Sequence, residues 1–505
     1  MPALLIAALL AIFININVAA AESRLDQPVL KEAAAMLRVN DGLWIERQAS
    51  MLIASAGQDA KSVRETIARA LYCSASLEGI DLGRPAVVAW RPGRSALTAV
   101  IPVANRRVFV DNFGAMPAGE PPLVRVGDRD GTVVLTQNRN GGRDEYRLLV
   151  SDNTAYLART ADECRLLAAK PLPQPVDDAV LSFTAWGPFT DRLPYGIPLD
   201  LPLVQRWLPA EGTAAAVILQ QAGSSLVTQL ASWSWQIRHA PNGAQITASL
   251  QLLPDSQCAE WLRSQSNQAN RLASVVRTPA TVAQVSGMFS WQGQCEAFGQ
   301  SLVPQMKAIA GEHWTLATDA AWHSAWSLFD RTGSFAFARD HAPDGSEGSV
   351  AAVEQMQAQI LCANIAAIVP VLFDRTVAEA KVGALSGATF ASADGKGPVQ
   401  AVIATERHLI AASGARPPEA LAAAGTLAGR TATSVPPAGA VGLMSCWIDL
   451  TRWVREEAKE RLDPDLPLPQ VAIDVVMKAG RDEIVVESVL PLSDIAQLLN
   501  KSSGK

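Results

Sequence analysis

Histidine and tyrosine are scarce in this 505-residue chain, with five His and four Tyr. None of the five His has a second His or a Cys at a metal-ligand spacing such as H-E-x-x-H. No G-x-S-x-G elbow is present, so the common serine-hydrolase nucleophile is missing. No glycine-rich loop matches a phosphate-binding pattern. The one S-x-x-K runs from Ser502 to Lys505, in a C-terminal tail expected to fray. The acidic loop from Asp340 to Glu347 lacks the third-position oxygen ligand and the terminal Glu that a calcium loop needs. Long runs of one charge are also absent. The net charge of −6 argues against a general nucleic-acid binder, which would carry a basic surface. Beyond the N-terminus no apolar stretch reaches bilayer length. The nearest, residues 360–373, is interrupted by Asn364 and Pro370. These absences leave no catalytic residue, no metal ligand set and no cofactor to assign.

Apolar residues make up 49% of the chain and charged residues 18%, enough to bury a sizeable core. The length exceeds what a single core supports, so two or three domains are expected. Residues 3–14 form an apolar run, and Ala19-Ala20-Ala21 supplies a small-x-small cleavage site. This pattern predicts a signal peptide over 1–21 and export to the periplasm or beyond. No Lys or Arg precedes the run, so an uncleaved anchor is the alternative. With no Cys at the cleavage site, a lipoprotein is not indicated. Six Cys in an exported chain allow 15 full pairings, but their wide spacing does not resemble a small disulfide-stapled scaffold.

A repeat organises the rest. Residues 234–262 and 471–499 both read as strand, turn, strand, then a Leu-Pro step into a short helix. Residues 151–158 match 405–412, and 179–186 match 440–447, each of the latter ending in Trp. Pro-bearing linkers at 170–178 and 431–439 fall at the same place in each series. The periodicity predicts helix over 28–72, strands over 84–103 and 122–160, and mostly helix over 255–385. The expected fold is α+β: two similar lobes from internal duplication, each an antiparallel sheet with helices on one face. The lobes would span 22–265 and 266–500, the second with a helical insert at about 275–385, followed by a tail at 501–505.

The repeat sorts candidate chemistry from packing. Cys258, Cys446 and Cys164 stand where the other copy has Ile495, Ala185 and Ala420. They read as buried thiols acting as small hydrophobes, with at least one disulfide as the alternative. Trp186 and Trp447 occupy matched positions and read as packing. Trp314, Trp322 and Trp326 have no visible counterpart and fall at helical spacing, beside His323. They are the candidate ligand-binding residues, because aromatic faces line apolar ligand sites as well as cores.

The strand–Leu-Pro–helix step, the paired strands before an Ala/Leu helix and the exported N-terminus resemble a family of uncharacterised exported bacterial proteins, over about residues 80–500. The resemblance implies a repeat-built α+β protein of the cell envelope, and it carries no site residues across. The expected function is therefore a non-enzymatic binding or structural protein of the envelope. Its partner would be an apolar small molecule or an envelope protein, not nucleic acid, and it would not span the membrane after signal cleavage. A periplasmic hydrolase whose site forms only in three dimensions, or a self-assembling surface scaffold, are the alternatives.

Overall fold

The structure, a computed structural model, describes residue 30 and residues 33–502, except 58, 92–96, 117–120, 140–141, 171–177, 188, 190–213, 289, 292, 332, 342–346, 374, 393–394, 396–397, 434–437, 458–461 and 464–465. The export segment, most of the first Pro-bearing linker and residues 434–437 of the second lie outside the described residues.

The first half of the chain supplies ten strands. These are β1 (Ala35–Val39), β2 (Ala86–Trp90), β3 (Leu97–Pro102), β4 (Val124–Arg129), β5 (Thr132–Arg139), β6 (Gly142–Ser151), β7 (Thr154–Ala158), β8 (Ala179–Trp186), β9 (Leu230–Ala240) and β10 (Gly243–Leu252). Its helices are α1 (Gly42–Ser55), α2 (Ala60–Tyr72), α3 (Arg106–Asn112), α4 (Ala161–Ala169), α5 (Ala214–Val227) and α6 (Gln257–Arg263). The second half holds β11 (Gln268–Asn270), β12 (Thr281–Met288), β13 (Ser334–His341), β14 (Glu347–Glu354), β15 (Arg375–Val382), β16 (Leu385–Ser392), β17 (Val399–Ala404), β18 (His408–Gly414), β19 (Ala438–Gly442), β20 (Met444–Asp449), β21 (Ala472–Ala479) and β22 (Glu483–Leu490). Its helices are α7 (Arg271–Val276), α8 (Gln294–Ala310), α9 (Leu316–Phe329), α10 (Ala358–Leu372), α11 (Pro417–Ala432), α12 (Leu450–Glu457) and α13 (Leu492–Ser502).

The fold is α+β, as the pattern predicts, but the sheet is one and continuous. Twenty strands pair antiparallel throughout, in the order β4-β5-β6-β7-β3-β2-β1-β8-β9-β10-β22-β21-β20-β12-β13-β14-β18-β17-β16-β15. The two repeat segments that share a strand–turn–strand–helix pattern meet at its centre, where Ala244–Gln251 of β10 pairs with Glu483–Leu490 of β22. A shared core covers this junction: Leu250 and Ile246 from one half pack with Ile473, Leu492 and Ile495 from the other. Each half also lends its last helix across the middle. Helix α13 lies on α1. Trp261 of α6 stacks on Trp291 at 5.9 Å and donates from Nε1 to the Ser290 carbonyl at 2.6 Å. Separate lobes, each with its own sheet, are therefore not what forms.

Three further expectations need correcting. Ala35–Val39 is a fully buried strand rather than the start of a helix. Met36 and Leu37 enter different cores, so the segment is apolar on both sides, and a short run of that kind fits either period. The segment 275–385 is no helical insert, since β12, β13, β14 and β15 all lie in it and join the sheet. Helices cover both faces of the sheet, not one. Within β17, Val402 and Ala404 face the core beneath α10, while Ala401 and Ile403 face the core beneath α11. Burial on both faces explains why residues 401–404 of this strand, after the exposed Gln400, are apolar without alternation.

Candidate functional site

Of the four residues singled out from the sequence, the three tryptophans come together and His323 stays outside them. Trp314 and Trp322 meet edge to face at 5.9 Å, and Trp322 and Trp326 lie 5.6 Å apart. Trp326 also touches Phe298 at 5.6 Å and Phe329 at 5.9 Å. The cluster fills the space between α8 and α9 and belongs to the core that includes Leu302, Met306 and Leu361. Two of its three indole N–H groups are occupied within the fold. Trp322 Nε1 donates to the Gly299 carbonyl at 2.9 Å, and Trp314 Nε1 donates to Asp319 Oδ1 at 2.9 Å. Asp319 also holds Lys307 at 2.9 Å and lies 3.6 Å from His323 Nε2 on the exposed rim. The hydrogen bonds from Lys307 and Trp314 hold its carboxyl below the usual carboxylate range. The indoles are thus packed against one another, with His323 outside them.

The thiols behave as hydrophobes. All six Cys are free; Cys73, Cys164, Cys295 and Cys362 are buried, while Cys258 and Cys446, expected to be buried, are half-buried. Among the described residues no group of three His, Cys, Asp or Glu is placed to hold a metal ion. Also among the described residues, no helix is long and apolar enough to cross a membrane.

A different place offers open space. A groove of about 500 Å³ lies between α3 and the outer strands β4, β5 and β6. Its geometry begins with the cap of α3. The Asn105 side chain accepts from the Arg107 and Val108 amides at 3.1 and 3.2 Å, which starts the helix after an extended residue. Phe109 anchors the helix in the core and packs on Phe113 at 5.1 Å. With that face fixed, Arg106, Arg107, Val110 and Asp111 are left on the groove side. The opposite wall is the β4–β5 hairpin. Asp130 and Gly131 both take positive φ at its tip, the backbone of a tight two-residue turn. Arg125 on that wall donates to both carboxylate oxygens of Asp128 at 3.0 Å.

The floor is apolar. Leu148 and Val150 alternate onto one face of β6, and Val133 of β5 pairs directly with Leu148. Leu148 is buried, while Val133 and Val150 are half-buried. At the other end of the sheet the strands just inside the edge strand are closed over. There the 15-residue α10 lies across β15, β16, β17 and β18 and buries Ala388, Phe390 and Val402 beneath Leu361, Cys362 and Leu372. Helix α3 has seven residues and leaves its strands open.

Sequence reasoning passed over this groove. The doubled arginine of Asn105-Arg106-Arg107 and the shortness of the helix after it were visible. No spacing, however, joins residues 106–111 to 125–150, which meet only once β4 to β7 fold back on β3. No family model matches the chain, and neither a curated protein nor a solved structure matches it.

Proposed function

We propose that this chain is an exported, non-enzymatic binding protein of the bacterial cell envelope, built by internal duplication, whose ligand sits in the groove beneath α3. The duplication is supported by strand order. Counted from its own edge, each half runs fourth, fifth, sixth, seventh, third, second, first, eighth, ninth and tenth among its strands in the large sheet. The binding role rests on one observation: an apolar sheet face left uncovered at one end is covered by a helix at the other. Half-buried Val133 and Val150 represent apolar surface that a ligand would remove from water, at about 25 cal/mol per Å². The groove also falls within the usual size range of small-molecule sites. Native mass spectrometry of protein taken from its own cell envelope tests this. A co-purifying small molecule, lost when Val133→Asp places a charge on the floor, is the expected result. A bare chain that takes up no offered apolar ligand removes the reading.

A second reading, self-assembly, is favoured by β15. This edge strand is eight residues long, pairs with β16 without a bulge, and has Val377 exposed. Sedimentation over a wide concentration range separates the two, because an array grows with concentration and a binding protein does not.

A further inference from the structure

We infer that the groove takes an anionic amphiphile: one alkyl chain on the apolar floor, with its carboxylate or phosphate head held by Arg106 and Arg107. This rests on the binding reading above and adds the ligand's chemical class.

The argument is one of complementarity in two parts. The apolar lining, Val110 on the helix and Val133, Leu148 and Val150 on the floor, offers nothing to a polar ligand. The rim carries three arginines against two aspartates, in a chain whose net charge is −6. Of those arginines, Arg125 is engaged by Asp128. Arg106 and Arg107 are exposed, and among the described residues neither has a carboxylate partner. Two adjacent guanidiniums at the mouth of an apolar groove suit a carboxylate or phosphate, whose oxygens match their fork of N–H donors. Asp111 stands on the same rim and disfavours a second negative charge there, which points to a head of low charge. The volume decides against a helix as occupant. About 500 Å³ is the scale of a small ligand, whereas the helix that closes the opposite end has 15 residues.

The experiment measures binding of dodecanoate, dodecyl phosphate and uncharged dodecanol to the full chain by titration calorimetry. The series is repeated with Arg106→Ala/Arg107→Ala and with Val133→Asp. The proposal predicts one dodecanoate per chain and at least tenfold weaker binding of dodecanol. The double arginine variant should lose tenfold or more for dodecanoate and nothing for dodecanol. Val133→Asp should lose both ligands, with an unchanged circular dichroism spectrum showing that it is folded. Lysophosphatidylglycerol identifies the source. Its binding alongside dodecanoate assigns the ligand to membrane lipid, and dodecanoate binding alone assigns it to free fatty acid; both outcomes support the class. Equal binding of dodecanol and dodecanoate, unmoved by the arginine variant, overturns the anionic head while leaving the groove as a binding site. Binding of an acidic amphipathic helical peptide in place of every alkyl probe overturns the class in favour of a protein partner. If no probe binds and envelope-derived protein carries nothing, this inference and the reading beneath it both fall.

Discussion

Asp330, just past the end of α9, caps the start of α8: its Oδ1 accepts from the Cys295 amide at 2.8 Å and its Oδ2 from the Glu296 amide at 3.2 Å. Helix α8 begins after Gly293, which has no side chain to offer, so a residue 37 positions away supplies the missing acceptor. The carboxylate also meets the positive end of the helix dipole. Asp330→Ala should therefore cost about 1 kcal/mol, the usual worth of a cap. Asp330→Asn, which keeps an acceptor and loses the charge, should cost less. Urea unfolding of the two variants checks the order.

Trp322→Ala should cost about 3–5 kcal/mol, because it empties the middle of the tryptophan cluster and leaves the Gly299 carbonyl without its donor. Gly299 shows how tightly the cluster is closed. A Cβ there would meet Trp326 Cγ at 2.2 Å, so Gly299→Ala should destabilise by about 1–3 kcal/mol through overpacking. Thermal unfolding measures both. A Trp322→Ala protein that keeps its stability and loses a ligand would instead make the cluster a binding surface.

His408 makes stability depend on pH. Burial pushes its imidazole below the ordinary 6.5, and Arg271 and Arg407 add to the shift, with Glu354 opposing. Its Nε2 lies 3.3 Å from an Arg271 guanidinium nitrogen, a contact that favours the neutral ring. As pH falls through about 6.5 the unfolded chain binds a proton that the folded chain still refuses. Stability therefore falls with pH from that point and levels off once the folded ring also protonates. Full stability is present above the unfolded value. Unfolding free energies at about pH 7.5 and about pH 5 should differ less in His408→Gln than in the parent protein.

Cys73, Cys164 and Cys295 have thiols pushed up to about 12 by burial, and Cys446 is pushed up to about 11. Since the thiolate is the reactive form, the native protein should react slowly with a disulfide reagent at neutral pH. All six thiols should titrate at once in denaturant, without reductant. Fewer than six would mean that a disulfide forms in the protein.

The legible part of this molecule is local. The hairpin pattern at 234–252 and 471–490 is carried by alternation and turn residues, and it survives in the structure as β9–β10 and β21–β22. Cys164 and Ala420 are both fully buried, each on the helix that follows the seventh strand of its half, as interchangeable packing residues would be. Trp322 and Trp326 lie on α9 as their spacing implied, while Trp314 precedes the helix and meets them from the turn before it. The illegible part is where a segment is apolar on both sides. Ala35–Val39 lies inside the sheet with a core above and below, so alternation vanishes and the period no longer distinguishes strand from helix.

The sequence by itself determined the mixed helix-and-strand class, the matched hairpins and the absence of a spaced catalytic motif, because each is set by neighbours within a few residues. Only the tertiary structure decided that the matched hairpins pair with each other, fusing both halves into one sheet and sharing one core across the junction. It alone also brought Arg106 and Arg107 over Val133 and Val150. A groove is a statement about which surfaces are left without a partner, and that is known only after every strand and helix has found its own.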